Sequence, residues 1–363
     1  METLERFDHV AVTGSLAGYR VQAVDLTERT FALLVADTAE AVFLGCRMEP
    51  QALAHVRANG ALVFPPVPDL PFDPYRARLY SPGELYAGLA GLDEGEGGYP
   101  ETPDALTYRW FQRTAADGDI LASMLRSIHD DAVSDALDEH LRGKRVVGVM
   151  GGHAMERGTD AYAGAARLGR ELVREGLTVA TGGGPGAMEA ANFGAYAAPY
   201  DDLMLGKALA VLAASPSFRP SVGAWASAAL AVRDRWPDGG PSYGLPTWFY
   251  GHEPPNAFAG HIAKFFANAT REDGLLSRCT AGVVFLPGAA GTVQEVFDAA
   301  TPNYYASRGE PAPMVLVDQE HWTSRLPVWP LLRSLAADRS MARRIALVDS
   351  VAEVPAALAE LSA

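Results

Sequence analysis

The stretch LTVATGGGPGAMEAANFGA, residues 177–195, decides how the chain is read. Its first five residues are apolar or β-branched and read as a strand. Gly182, Gly183, Gly184, Pro185 and Gly186 then break that run, and the Ala-, Met- and Glu-rich residues after them read as a helix. A strand turning through glycine into a helix brings free N–H groups and the positive helix end to one point, which is a cradle for an anion. A tight turn with close helix–strand packing explains one or two of these glycines but hardly three in a row. Gly182, Gly184 and Ala187 also satisfy G-x-G-x-x-A, the dinucleotide fingerprint, although here it comes after the second strand of its domain rather than the first. The G-K-[ST] of a P-loop is absent.

Outward from this stretch, apolar runs at 145–150, 177–181, 208–213, 247–250, 281–286, 314–317 and 345–348 read as strands, with helical patterns between most of them. Near-continuous apolar strands alternating with helices predict an α/β fold, a doubly wound, Rossmann-like parallel sheet covered on both faces. Ligands of such sheets bind beyond the carboxyl ends of the strands. The first strand ends at Gly151-Gly152-His153, where His153 either donates to a phosphate or bonds its own loop. The fifth ends in AGVVFLPGAAGTVQEVFDAAT, residues 281–301, so Pro287, Gly288, Gly291 and Thr292 make a second small-residue turn into a helix. Thr292-x-x-Glu295 reads as a capping box; alternatively, a carboxylate one turn into such a helix faces a sugar. Two glycine-rich turns on one sheet edge argue for a shared, phosphate-bearing ligand.

Between these loops, residues 256–270 read as a helix carrying His261 and Lys264, with Arg271 at its end. Arg271 either neutralises a phosphate in the cleft or pairs with Glu272 or Asp273 at the surface. His252-Glu253-Pro254-Pro255 is not a zinc motif, because prolines break the helix and no second histidine occurs at the needed spacing. No G-x-S-x-G elbow and no Cys/His pair is present, and Cys46 and Cys279 belong to no metal-spaced set. No metal and no cofactor is expected.

Upstream, residues 1–101 read as a β-rich region with short strands at 19–24, 31–36, 41–44 and 61–64. Residues 64–80 are Pro-rich and aromatic, and 91–101 have the makeup of an exposed acidic connector. A helical connector comes next over 102–143, with Thr102-Pro103 as its start and Gly118 as an interruption. The domain of the glycine loops spans 144–363. Thirty basic against 44 acidic residues give a net charge of -14, which argues against a nucleic-acid partner. The N-terminus has acids where a signal peptide needs bases, and no apolar run approaches the ~20 residues of a membrane span. The expected setting is the cytoplasm, with no membrane partner.

The pair TGGGPGAMEAANFGA (181–195) and PGAAGTVQE (287–295) resembles the LOG family, whose signature is P-G-G-x-G-T-x-x-E. That family holds cytokinin-activating phosphoribohydrolases and bacterial nucleotide 5′-monophosphate nucleosidases, long mislabelled lysine decarboxylases. The resemblance covers roughly residues 145–348, with Ala289 in place of the second signature glycine. It implies hydrolysis of the N-glycosidic bond of an AMP-like nucleoside 5′-monophosphate to free base and ribose 5-phosphate. It also implies Glu295 and Arg271 as catalytic residues. Gly288, Gly291 and Thr292 would hold the phosphate, and Met188 and Glu189 would contact base and ribose. A homodimer or higher oligomer is expected, with the site at the subunit contact. Two readings stand beside this one: a non-catalytic carrier of a nucleotide or phosphorylated cofactor, and a dehydrogenase using Gly182–Ala187. Lysine decarboxylation would need a Schiff-base lysine, and none of Lys144, Lys207 and Lys264 has that setting.

Overall fold

The computed structural model describes residues 1–89, 98–250, 253–305 and 310–363. Its two compact units are Met1–Leu79 with Gly118–Ala136, and Tyr80–Asp117 with Leu137–Ala363. They divide the chain elsewhere than at residues 101 and 143. Most of the acidic connector expected at 91–101, and His252, lie outside the described residues.

In the first unit α1 (Leu4–Ala11), β1 (Arg20–Gln22), α2 (Thr30–Val35), β2 (Val42–Leu44), α3 (Pro50–Ala58) and β3 (Leu62–Phe64) succeed one another. The strands pair in parallel in the order β1-β2-β3 around buried Phe7, Val21, Leu33, Phe43 and Val56. Three of the four expected strands are present. The fourth, 31–36, is helical: six apolar residues carry too little period to separate strand from helix, and only Leu33 of α2 is buried. The unit is therefore mixed α/β rather than β-rich.

The second unit begins with α4 (Pro82–Leu85) and α5 (Pro103–Ala116) and takes the last turn of α6 (Ile120–Leu141). Thr102 caps α5 by accepting from the Ala105 N–H, with Pro103 in the first position, and Gly118 lies between the two long helices. In α5, the fully buried Asp104 accepts from Tyr99 Oη at 2.8 Å and from Trp248 Nε1 at 2.9 Å, and it pairs with Lys264. Burial lowers the pKa of Lys264, and its carboxylate partner opposes that shift. This lysine is held within the packing.

The main sheet then builds through β4 (Val146–Met150), α7 (Asp160–Arg174), β5 (Thr178–Thr181), α8 (Ala187–Tyr196), α9 (Asp202–Ala213), α10 (Val222–Arg235), β6 (Tyr243–Gly244), β7 (His261–Ile262) and α11 (Asn268–Leu276). It continues with β8 (Gly282–Phe285), α12 (Ala290–Tyr305), β9 (Met314–Val317), α13 (Val328–Ala336), β10 (Ile345–Val348) and α14 (Val354–Ser362). The order is β10-β9-β8-β4-β5-β6-β7 and every pairing is parallel. All residues of β4, β8 and β9 are buried, as a sheet flanked by helices requires. The architecture is the expected doubly wound, Rossmann-like α/β sheet.

Three local expectations change. Residues 208–213 are the end of α9, because an Ala- and Leu-rich run favours helix and Asp201 caps it by accepting from the Met204 N–H. Residues 247–250 are irregular, with a bridge pairing Thr247 and Phe265. Residues 256–270 are not one helix. The Asn256 side chain accepts from the Phe258 and Ala259 N–H groups, which turns the chain, and His261–Ile262 becomes the edge strand.

Helices α7 and α8 cross at backbone contact. A Cβ on Gly194 would lie 1.8 Å from the Ala166 carbonyl oxygen. Gly194→Ala must push the helices apart and is expected to cost about 1–3 kcal/mol or more. Urea unfolding monitored by circular dichroism measures this; an unchanged midpoint would show that the crossing has slack.

Candidate functional site

The strand order places the site. From β4 the chain winds outward through β5, β6 and β7, then returns to lay β8 on the other side of β4. The reversal between β4 and β8 is a topological switch point, where loops leave the sheet in opposite directions and open a crevice. The turns after β4, β5 and β8 are bonded to one another there. Gly152 N–H donates to the Pro287 carbonyl at 3.2 Å, and Ala187 N–H donates to the Gly152 carbonyl at 3.1 Å. Gly186 makes the second contact possible: its φ is +74°, and a Cβ would stand 2.5 Å from the Gly152 carbonyl oxygen.

These turns border a cleft of about 880 Å³. Gly152, His153, Gly182, Gly184, Met188, Arg271, Pro287, Gly288, Gly291, Thr292 and Glu295 line it, so most of the expected site residues converge. Ala290 opens α12, and the N–H groups of Ala290, Gly291 and Thr292 belong to its first turn, which lacks intrahelical carbonyl partners.

Gly183, Gly186 and Glu189 do other work. Gly183 packs against Pro246, while its carbonyl accepts from the Asn256 N–H at 2.8 Å. Glu189 is fully buried, and both its carboxylate oxygens are taken by Arg157, Nε at 3.1 Å from Oε2 and Nη2 on Oε1. Arg157 also donates to the Ser215 and Trp225 carbonyls at 3.2 and 3.0 Å. Glu189 thus anchors the segment after His153 instead of meeting a ribose, because a buried carboxylate is stable only when paired.

The capping box also gives way. With α12 starting at Ala290, Thr292 lies inside the first turn and Glu295 faces sideways. Its Oε1 is 3.4 Å from Arg271 Nη1, a pairing across α12 and α11. Arg271 is itself buried, lies 3.8 Å from Glu272 Oε1 by Nη2, and its Nε has no partner among the described residues. The expected Glu272 contact is therefore real but belongs to the cleft, not the surface. Burial pushes Glu295 up from an ordinary value near 4.5 to about 7, and Arg271 opposes that rise.

Glu272 is the neighbour that the sequence offers to Arg271, while Glu253 and His321 were not singled out as cleft residues. Glu272 accepts from Asn268 Nδ2 at 2.8 Å and from Gln294 Nε2 at 2.7 Å. Glu253 Oε1 sits 3.0 Å from His153 Nδ1, and the Gly288 N–H lies 3.4 Å from His321 Nε2. Only the acidic and imidazole side chains themselves hinted at them, because each reaches the cleft from a segment distant in sequence.

The sequence model of the SLOG cluster4 family matches residues 144–204, the span that carries the first two loops but neither Arg271 nor Glu295. No curated protein matches the chain by sequence. Solved structures similar to it include the molybdenum cofactor binding protein of Rippkaea orientalis, at 16% identity and a TM-score of 0.39, covering 61% of this chain and 99% of that one. Another is the molybdenum cofactor carrier protein of Chlamydomonas reinhardtii, at 17% identity and a TM-score of 0.38, covering 60% and 98%.

The raised pKa of Glu295 has a consequence for stability. The folded protein holds this proton more tightly than the unfolded chain, so the contribution is complete below about pH 4.5 and is lost as pH rises through about 7. Glu295→Gln removes the titration. The melting temperature of the wild type should fall relative to that of the variant between pH 5 and 8, and parallel curves would show that the carboxyl is not perturbed.

Proposed function

We propose that the cleft binds a small phosphorylated molecule of nucleotide type. The observation that carries this reading is the convergence, on one cleft, of the α12 first turn, the Gly182–Gly184 backbone and the buried Arg271. Gly288, Gly291 and Thr292 would take the phosphate by N–H groups and a hydroxyl, with Arg271 offsetting its charge. Met188 offers an apolar surface for a base.

The fate of the bound ligand has two readings. In the first, the N-glycosidic bond of a nucleoside 5′-monophosphate is hydrolysed, as the resemblance to the LOG family implies. A carboxyl of pKa about 7 is half ionised at neutral pH and suited to take a proton from water, and its charge offsets an oxocarbenium-like transition state. In the second, the ligand is held and passed on intact, the work that the name of the molybdenum cofactor carrier describes. In either case the expected working unit is a homodimer or larger assembly.

Calorimetry with AMP, GMP, CMP, UMP and IMP, beside chromatography for free base, separates the readings. Hydrolysis predicts base release that Glu295→Gln cuts by about 100-fold or more while binding persists. Binding without release selects retention. If neither inorganic phosphate nor any of the nucleotides binds at millimolar concentration, the proposal falls.

A further inference from the structure

The hydrolytic reading leaves one chemical need unmet by Arg271 and Glu295. When the C1′–N bond breaks, its electron pair passes to the base, and a base nitrogen must be protonated as it leaves. In that reading Glu295 is committed to the water and Arg271 to the phosphate.

His153 and Glu253 stand in the same cleft. His153 Nδ1 lies 3.0 Å from Glu253 Oε1, and the imidazole side chain is 49% exposed, within reach of solvent protons. The contrast with the other histidine–carboxylate pair is informative: His129, bonded to Asp130, is wholly buried and out of reach of any ligand. Glu253 also leans over the glycine turn. A Cβ on Gly184 would lie 3.5 Å from Glu253 Oε2 and 3.0 Å from Met188 Cε, so the dyad borders the apolar surface offered to the base. A carboxylate on one ring nitrogen fixes the imidazole's orientation in the cleft.

We propose that His153 is the general acid of this cleft, protonating the departing base, and that Glu253 positions it. The inference rests on the hydrolytic reading. In the balanced step the C1′–N bond breaks, the His153 proton goes to a base nitrogen, water bonds to C1′ and Glu295 takes the water's proton. Free base and ribose 5-phosphate leave, and exchange with solvent returns both side chains to their starting states.

The test compares two leaving groups. AMP needs its base protonated, whereas the para-nitrophenyl β-ribofuranoside 5-phosphate expels a stable anion without help. His153→Gln should slow base release from AMP by about 100-fold and leave nitrophenolate release nearly unchanged. Glu253→Gln should show the same split in weaker form, and it carries the test if His153→Gln fails to fold. Equal losses on both substrates would mean that His153 holds the phosphate or its own loop, and no loss on either would mean that it is idle; each overturns the assignment. Wild-type protein that releases neither leaving group would instead remove the hydrolytic reading on which the assignment stands.

Discussion

The cleft depends on one buried side-chain amide. Asn192 of α8 has no exposure, and all its hydrogen-bonding capacity is spent on the walls of the site. Its Oδ1 accepts from Thr181 Oγ1 at 2.7 Å and from Asn256 Nδ2 at 3.0 Å, and its Nδ2 donates to Ser242 Oγ and the Tyr243 carbonyl. Asn256 in turn donates to the carbonyls of Gly183 and Gly184. The end of β5, the start of β6 and the segment after Pro255 therefore share one network with the glycine turn. A buried amide left unpaired is costly, so the members hold each other to a single geometry. A turn of three glycines would otherwise be the loosest part of the sheet edge; here its carbonyls are tied from behind while its outer face lines the cleft.

Charge sets the second constraint. Arg271 lies between Glu295 and Glu272 with its side chain only 10% exposed, in a chain whose net charge is -14. Burial pushes the Glu295 carboxyl up to about 7; the Arg271 guanidinium opposes that rise, and the Glu272 charge adds to it. An arriving phosphate would compete with both carboxylates for the guanidinium, whose Nε has no partner among the described residues. A phosphate bound as proposed would thereby be coupled to the protonation of Glu295 through a single side chain.

The sheet was legible because its strands are buried on both faces. Runs such as VVGVM and GVVF admit little but a central parallel strand. The failures fall where that condition lapses. β6 and β7 are two residues each, too short to carry a period, and the Ala–Leu run of α9 is apolar in a helix as it would be in a strand. Within the site, loop residues adjacent in sequence were found, since backbone chemistry accompanies the glycines directly. Glu189 was misassigned because its position one turn into α8 suits a ligand contact equally well, and only the distant Arg157 decides otherwise. Glu253 and His321 were missed for the complementary reason: each is an ordinary polar residue until the fold carries it to the cleft.

The same division bears on what the glycine motif means. Of the run Gly182–Gly186, Gly182 and Gly184 line the cleft, while Gly183 and Gly186 are demanded by Pro246 behind and by the Gly152 carbonyl beside them. Half of the motif thus serves packing, which any sheet with this switch point must solve whatever it binds. The motif specifies a cradle's shape. The charged and titratable side chains beside it, Arg271, Glu295, His153 and Glu253, come from α11, α12 and two loops. Binding and cleavage are therefore separate questions at this cleft, and the glycine turn by itself answers neither.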